Sequence, residues 1–253
     1  MRLSRSVVVV AALSLAVLAV GARPVPRDVT GEPVHTFSIL GFDPETGEVG
    51  GAVQSRVFSV GNGVLWAKAG VGAVATQAIV DVSYGPQALE LLAQGMNPAE
   101  VVKTIWERDP DPDPQNWTKL GRQFAVMDAQ GNVAAYTGPK ADAWAGHKYG
   151  RFSSAQGNIL AGEAVVDNMV KAFEETKGYL SERLMAALEA GQAAGGDKRG
   201  MQSAAMLIVG KDGGPWLHND VVLRLQVDDS EQPLKELRRL VALSATRRKM
   251  QVR

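Results

Sequence analysis

The chain has 253 residues, with 27 basic and 27 acidic side chains, three histidines and no cysteine. That length suits one sizeable domain or two small ones, and 45% hydrophobic with 21% charged residues is an ordinary globular mixture, which excludes a largely disordered or collagen-like chain. A net charge of zero argues against a dedicated nucleic-acid binder, and the lack of cysteine removes disulfides, thiolate metal sites, haem thioether links, lipoprotein anchors and cysteine nucleophiles.

Arg2 and Arg5 precede the apolar run Val7–Val20, and Gly21-Ala22 supplies small residues for a cut before Arg23. This is the layout of a secretory signal peptide. As a helix the run rises about 21 Å, short of a hydrocarbon core of about 30 Å, so cleavage is expected rather than anchoring. Removing residues 1–22 takes away two arginines and no acid, which leaves a net charge of −2. The expected product is periplasmic or secreted. Residues 23–35, with three prolines, read as an extended leader.

Phe37–Phe42 and Val49–Ser55 alternate as strands around the turn cluster Asp43-Pro44-Glu45-Thr46-Gly47, which predicts a hairpin. Leu65–Lys68 and Gly72–Gln77 are further short strands, and Gly70 between them suggests close backbone packing. The period then changes. Pro86–Gln94 carries apolar residues at helical spacing, and Gly95 fits its end. Asn97-Pro98-Ala99-Glu100 starts a second helix, with Asn97 as N-cap and Pro98 at the first position. Asp109–Asp113 alternates with proline and reads as a solvated loop, since its spacing does not match a calcium loop. Gln123–Asp128 and Val133–Tyr136 are strands, whereas Thr137–Leu160 is rich in glycine and aromatics and shows no clear period. Helices follow at Gly162–Thr176 and Leu180–Ala193, then a strand pair at Ser203–Val209 and Val221–Val227. Pro233 opens a basic amphipathic tail helix.

Strands, two helices, strands, two helices, strands and a tail helix suggest two largely antiparallel sheets between helix pairs. The predicted fold is therefore α/β (α+β), a four-layer αββα sandwich over 36–229, with the tail helix in 230–253.

There is no Walker loop, no Gly-x-Ser-x-Gly elbow and no His-Glu-x-x-His. With three histidines a His-based triad has few candidates, and His147, in Trp144-Ala145-Gly146-His147, is the best of them; it reads more readily as a structural or substrate contact. Small polar residues instead collect at strand ends: Thr36, Gln54-Ser55-Arg56, Lys68, Gln77, Gln156-Gly157-Asn158 and Asp197. Each has an ordinary structural explanation alone. Together they allow one chemistry. A threonine whose α-amino group is free can be a nucleophile with that amine as its base, since the amine's pKa of about 8 suits proton transfer near neutrality. A lysine would lower that pKa, an aspartate would orient the pair, and an asparagine or backbone amides would stabilise the oxyanion.

The segments Thr36-Phe-Ser-Ile-Leu-Gly-Phe-Asp, Gly51-Ala-Val-Gln-Ser-Arg-Val-Phe, Trp66-Ala-Lys-Ala-Gly-Val-Gly-Ala-Val-Ala-Thr-Gln, Gln156-Gly-Asn-Ile-Leu-Ala-Gly and Gly191-Gln-Ala-Ala-Gly-Gly-Asp-Lys-Arg-Gly-Met-Gln-Ser-Ala resemble the bacterial domain-of-unknown-function family 1028. That family is similar to N-terminal-nucleophile (Ntn) hydrolases, and the block from Thr36 to Lys68 faintly resembles the start of proteasome β-subunits. The resemblance implies an Ntn-type αββα fold and amide-bond hydrolysis by an N-terminal threonine, with no assigned substrate. It spans about Thr36–Val227. Val227-Asp-Asp-Ser-Glu-Gln-Pro-Leu-Lys-Glu-Leu-Arg-Arg-Leu is similar to the beginning of a peptidoglycan-binding continuation of some members, but the residues left are too few for such a module. The tail helix is expected to pack on the domain or to mediate assembly into a homo-oligomer.

Here 35 residues precede Thr36, and signal cleavage still leaves 13, so the His35–Thr36 bond must be cut again before the amine is free. The residue before the cut is histidine, not the glycine often seen there. Ser38 shares Thr36's face but sits inside the strand. The leading expectation is an exported amidohydrolase acting on a small-molecule amide or a peptide, without cofactor or metal. Thr36 would be the nucleophile, Lys68 would tune its amine and Asp197 would orient the pair. Gln54, Ser55, Gln77, Asn158 and His147 would contact the substrate or oxyanion. The alternatives are a non-catalytic binding or scaffolding protein on the same fold and, more distantly, a metal-dependent hydrolase using His147 with nearby acids.

Overall fold

The computed structural model describes residues 34–251 of the chain. The signal peptide read at 1–22 and the leader from 23 to 33 lie outside the described residues. The chain runs through β1 (Thr36–Phe42), β2 (Val49–Ser55), a one-turn helix α1 (Gly61–Val64), β3 (Leu65–Lys68), β4 (Gly72–Ala78), α2 (Tyr84–Ala93), α3 (Pro98–Arg108), β5 (Arg122–Asp128), β6 (Val133–Thr137), β7 (Gly146–Gly150) and β8 (Ser153–Gly157). It ends with α4 (Ala164–Glu175), α5 (Leu180–Ala193), β9 (Ser203–Val209), β10 (Val221–Val227) and α6 (Pro233–Gln251).

One sheet has the order β10-β9-β2-β1-β8-β7 and the other β3-β4-β5-β6, with every pairing antiparallel. The helix pairs cover their outer faces. Alternation along β1 sends Phe37 and Ile39 outward, to pack with Met169 and Phe173 of α4 and Leu184 of α5. It sends Leu40 and Phe42 inward, against Ala73, Ala75, Ala125 and Met127 of the second sheet. Val74, Phe124 and Val126 face Ala88 of α2 and Val101 and Ile105 of α3. This is the expected four-layer αββα sandwich. Each large side chain buried in these layers contributes about 1.5–3 kcal/mol, which is why β1, β2, β4 and β9 are buried along their whole length.

Local chemistry explains most boundaries. Asn97 caps α3 by accepting the Glu100 N–H at 3.0 Å, with Pro98 next in line. The β3–β4 turn corrects the reading of Gly70, which has φ +71 and open space around it, so it serves the turn rather than close packing. Close approach belongs to Gly72, where an added Cβ would run into the Met127 carbonyl oxygen. Leu234, Leu237 and Val241 of α6 are buried in the outer cluster of the six-stranded sheet, and Arg238 pairs with Glu182 and Glu189 of α5.

The Asp-Pro loop is also corrected in part, because Asp109 is not solvated. Its carboxylate lies against the Arg122 guanidinium at 3.3 Å and accepts from the Tyr84 hydroxyl at 2.5 Å, all three groups being buried. Burial alone would raise the Asp109 pKa, but the Tyr84 hydroxyl, the Asp111 amide and Arg122 outweigh it and hold the carboxyl below its ordinary value. Arg122 Nη1 donates to the Ile79 and Trp117 carbonyls, so the triad pins this loop to the second sheet. Among the described residues no helix is long and apolar enough to cross a membrane.

Candidate active site

The space between the sheets has two halves. Toward Phe42 it is apolar. Toward Thr36 it is lined by hydroxyls and amides, because the inward positions of β1, β4, β5 and β8 become Thr36, Ser38, Gln77, Gln123 and Gln156, all buried. Buried polar groups need partners, and here they satisfy one another. Ser154 Oγ donates to Gln156 Oε1 at 2.9 Å, Gln156 Nε2 to Ser38 Oγ at 2.7 Å, and Ser38 Oγ to Gln77 Oε1 at 2.6 Å. Gln77 Nε2 donates to Gln123 Oε1 at 2.8 Å. Gln123 Nε2 faces the Gly146 and Gly157 carbonyls and the Thr137 hydroxyl at 3.1, 2.9 and 2.9 Å, which fixes Oε1 as its acceptor end. Asn158 Nδ2 donates to that same Oε1 at 3.1 Å, leaving Asn158 Oδ1 to face His35 Nδ1 at 2.9 Å. His35 Nδ1 is therefore the donor of that pair.

Thr36 is wholly buried, and its amide is still part of the peptide bond to His35. Its Oγ1 donates to Ser55 Oγ at 3.1 Å, and Ser55 Oγ donates to the His35 carbonyl oxygen at 2.5 Å. The same carbonyl accepts from Arg199 Nη2 at 2.8 Å. Asp197 grips Arg199 through two contacts, Nε at 3.1 Å and Nη2 at 2.7 Å, with the carboxylate buried and the guanidinium about a quarter exposed. The carbonyl of the His35–Thr36 bond thus carries a neutral and a cationic donor, and the Thr36 hydroxyl is one step away through Ser55. The Thr36 carbonyl is fixed separately by the Asn158 N–H at 3.1 Å. His35 itself is buried, and burial, helped by Arg199, holds its pKa below the ordinary imidazole value.

The structure brings Thr36, Ser55, Gln77, Asn158 and Asp197 to one end of the sheets, with Asp197 holding Arg199 rather than a lysine. Two expected residues do not join them. Lys68 is exposed and pairs with Gly72, whereas Thr36 meets Gln77 at the other end of β4. Those ends are about 17 Å apart at roughly 3.4 Å per residue. Gln54 is directly opposite Phe37 and so faces the helices, where its Nε2 approaches the Gly200 carbonyl at 3.4 Å. His147, the cross-strand partner of Gln156, meets the Thr137 hydroxyl through its Nδ1 at 2.9 Å, and burial lowers its pKa. Among the described residues no group of three or more His, Asp or Glu could hold a metal, which leaves the metal-hydrolase alternative without a ligand set.

Sequence reasoning gives no role to Arg199, His35 or Gln123, and notes Gln156 only as a strand-end polar residue. Gln123 carries a signal in the sequence: a polar residue at an inward position of a strand whose other inward positions, Ala125 and Met127, are apolar. Arg199 carries none, because only the turn after Asp197 aims it. A surface cavity of about 500 Å³ lined by Asp43, Glu45, Arg151, Glu174, Lys177 and Arg183 lies at the opposite end of the sheets and shares no residue with this layer.

The model of a family of unknown function, DUF1028, matches residues 36–237. Protein SPO2555 from Silicibacter pomeroyi, whose crystal structure carries the same family model, is 32% identical with a TM-score of 0.73, over 83% of this chain and 89% of that one. No curated protein matches the chain.

Proposed function

The chain belongs to DUF1028, a family of unknown function, and we propose that it is an exported N-terminal-nucleophile amidohydrolase whose Thr36 is unmasked by a cut at His35–Thr36 made within the folded chain. One observation carries this reading: the carbonyl of that bond is polarised by Ser55 and Arg199, and the Thr36 hydroxyl is hydrogen-bonded to the same Ser55. The match to the family model also begins at Thr36.

Attack by Thr36 Oγ1 forms a C–O bond to the His35 carbonyl carbon. The hydroxyl proton passes through Ser55 toward the carbonyl oxygen, and the developing negative charge falls between Ser55 and Arg199, which donate to it without reorganising. The C–N bond then breaks and the proton ends on nitrogen, giving the free α-amine of Thr36 and an ester on its oxygen. Water splits the ester, releasing the His35 carboxylate and restoring the hydroxyl. No external base is needed for the first step. For a later amide substrate the freed amine takes the proton, with an ordinary pKa of about 8 that suits transfer near neutrality.

Intact mass and N-terminal sequence of the purified full chain test the reading. A chain beginning at Thr36, with Thr36→Ala remaining uncut and inactive, is expected. The second reading, a non-catalytic binding protein, draws on the complete burial of Thr36 and on a polar layer satisfied by neutral groups. A stable, folded wild-type chain that keeps residue 35 would favour it and overturn the first.

A further inference from the structure

Val34 and His35 lie on the candidate site as a peptide would. The Val34 N–H donates to the Ala78 carbonyl and the Ala78 N–H to the Val34 carbonyl, both at 2.9 Å. Ala78, at the end of β4, has φ +65, a conformation uncommon outside glycine and strained enough to need a reason. This bend lets the last residue of β4 exchange both hydrogen bonds with an incoming backbone. Beyond Val34, the His35 side chain enters a slot whose acceptor is fixed from behind: Asn158 Oδ1 must face it, because Asn158 Nδ2 is spent on Gln123 and Gln123 is spent on the sheet carbonyls. Charge in the slot has one sign in excess. Asp197 is neutralised by Arg199, whereas Asp142 stands at the mouth, 3.7 Å from His35 Nε2.

Resting on the amidohydrolase reading above, we infer that the unmasked site takes peptides, not small acyl amides, and selects an acyl-side residue bearing an N–H donor at the δ position, as histidine and asparagine do. The preceding residue adds to β4 by backbone pairing at Ala78, a one-residue strand addition. A carboxylate in the slot would meet the Asn158 oxygen and Asp142, and an apolar side chain would leave the buried Asn158 oxygen unpaired. Either mismatch slows turnover by roughly 10- to 100-fold.

Two readouts on the full chain test this. The first is the rate of cutting after residue 35, by intact mass, in wild type and in His35→Asn, His35→Leu and His35→Asp. The second is hydrolysis by the cut wild-type protein of coumarin amides of acetyl-Pro-Val-His, acetyl-Pro-Val-Asn, acetyl-Pro-Val-Leu and acetyl-Pro-Val-Asp, and of acetyl-His alone. Histidine and asparagine are expected within a few-fold of each other, leucine and aspartate at least 10-fold slower, and acetyl-His slower than its tripeptide. A wild type that is cut and active, yet handles leucine or aspartate as fast as histidine, overturns this inference alone. A wild type that stays uncut and splits none of the peptides overturns the amidohydrolase reading and this inference with it.

Discussion

Replacing Ser55 by alanine separates chemistry from packing, because the structure supplies its own control. Ser55 and Ser203 are direct partners across β2 and β9, both wholly buried and on the same face. Each donates to a carbonyl at 2.5 Å, Ser55 to His35 and Ser203 to Val57. Each accepts one further bond at 3.1 Å, from Thr36 Oγ1 and from the Val60 N–H respectively. Loss of either hydroxyl leaves a buried partner unsatisfied, at a cost of about 1–3 kcal/mol of stability. The two variants should therefore lose comparable amounts in urea unfolding at pH 7. Their cutting rates should differ widely. Ser55→Ala removes one of two donors to the reacting carbonyl together with the proton path from Thr36, and loss of a single such donor costs about 100- to 1000-fold in rate. Ser203→Ala touches neither. The assay is the time course of the full-length and Thr36-started masses in both variants. Equal slowing in the two, or wild-type cutting in Ser55→Ala, would refute the assignment of the His35 carbonyl as the reacting group.

Lys68→Ala should leave cutting and any amidase activity unchanged and shift stability by less than about 0.5 kcal/mol, since the residue is exposed and remote; a loss of activity would place a charge at Thr36 that the fold does not bring there. Asp109→Ala should cost about 3–5 kcal/mol, read from the urea midpoint, because it strands the buried Arg122 guanidinium and the Tyr84 hydroxyl. The folded-state pKa of Asp109 lies below its unfolded value of about 3.9, so its contribution is present above that pH and lost as pH falls through the folded value. Midpoints measured from pH 5 down should fall more steeply in wild type than in Asp109→Asn. His35 and His147 act in the same direction at higher pH. Both are held neutral by burial, so below about pH 6.5 the unfolded chain takes up their protons first and stability drops. The fall between pH 7 and 5 should be smaller in His147→Gln.

Where one face of an element is apolar, the sequence is legible. Val49–Ser55, Leu65–Lys68, Leu180–Ala193, Ser203–Val209 and Val221–Val227 are found at the expected residues, and the Asn97 cap holds. β7 and β8 are not legible in the sequence, for a physical reason. Ser153-Ser-Ala-Gln-Gly157 turns its inward positions to the polar layer, and Gly146-His-Lys-Tyr-Gly150 is a partly exposed edge, so neither shows a hydrophobic period of two. The site divides in the same way. Thr36 and Ser55 face each other by the register of the β1–β2 hairpin, and that register also excludes Gln54, which is one residue out of phase. Lys68 invites a role by its residue type alone, and strand length separates it from Thr36. Nothing in the order of residues gives the turn that brings Arg199 over His35.

The pairing of Val34 with Ala78 has a consequence for timing. Those two backbone hydrogen bonds, and the one from His35 to Asn158, do not pass through the His35–Thr36 bond, so they survive its scission. On the proposed reading, cutting and opening would be separate events. After the cut Val34 and His35 would stay as a ligand of the protein, held at first at the high local concentration of a former neighbour and afterwards only by those few contacts. The freshly cut protein would be occupied by its first product, and its activity would rise with dilution and fall again when a peptide ending in Pro-Val-His is added back.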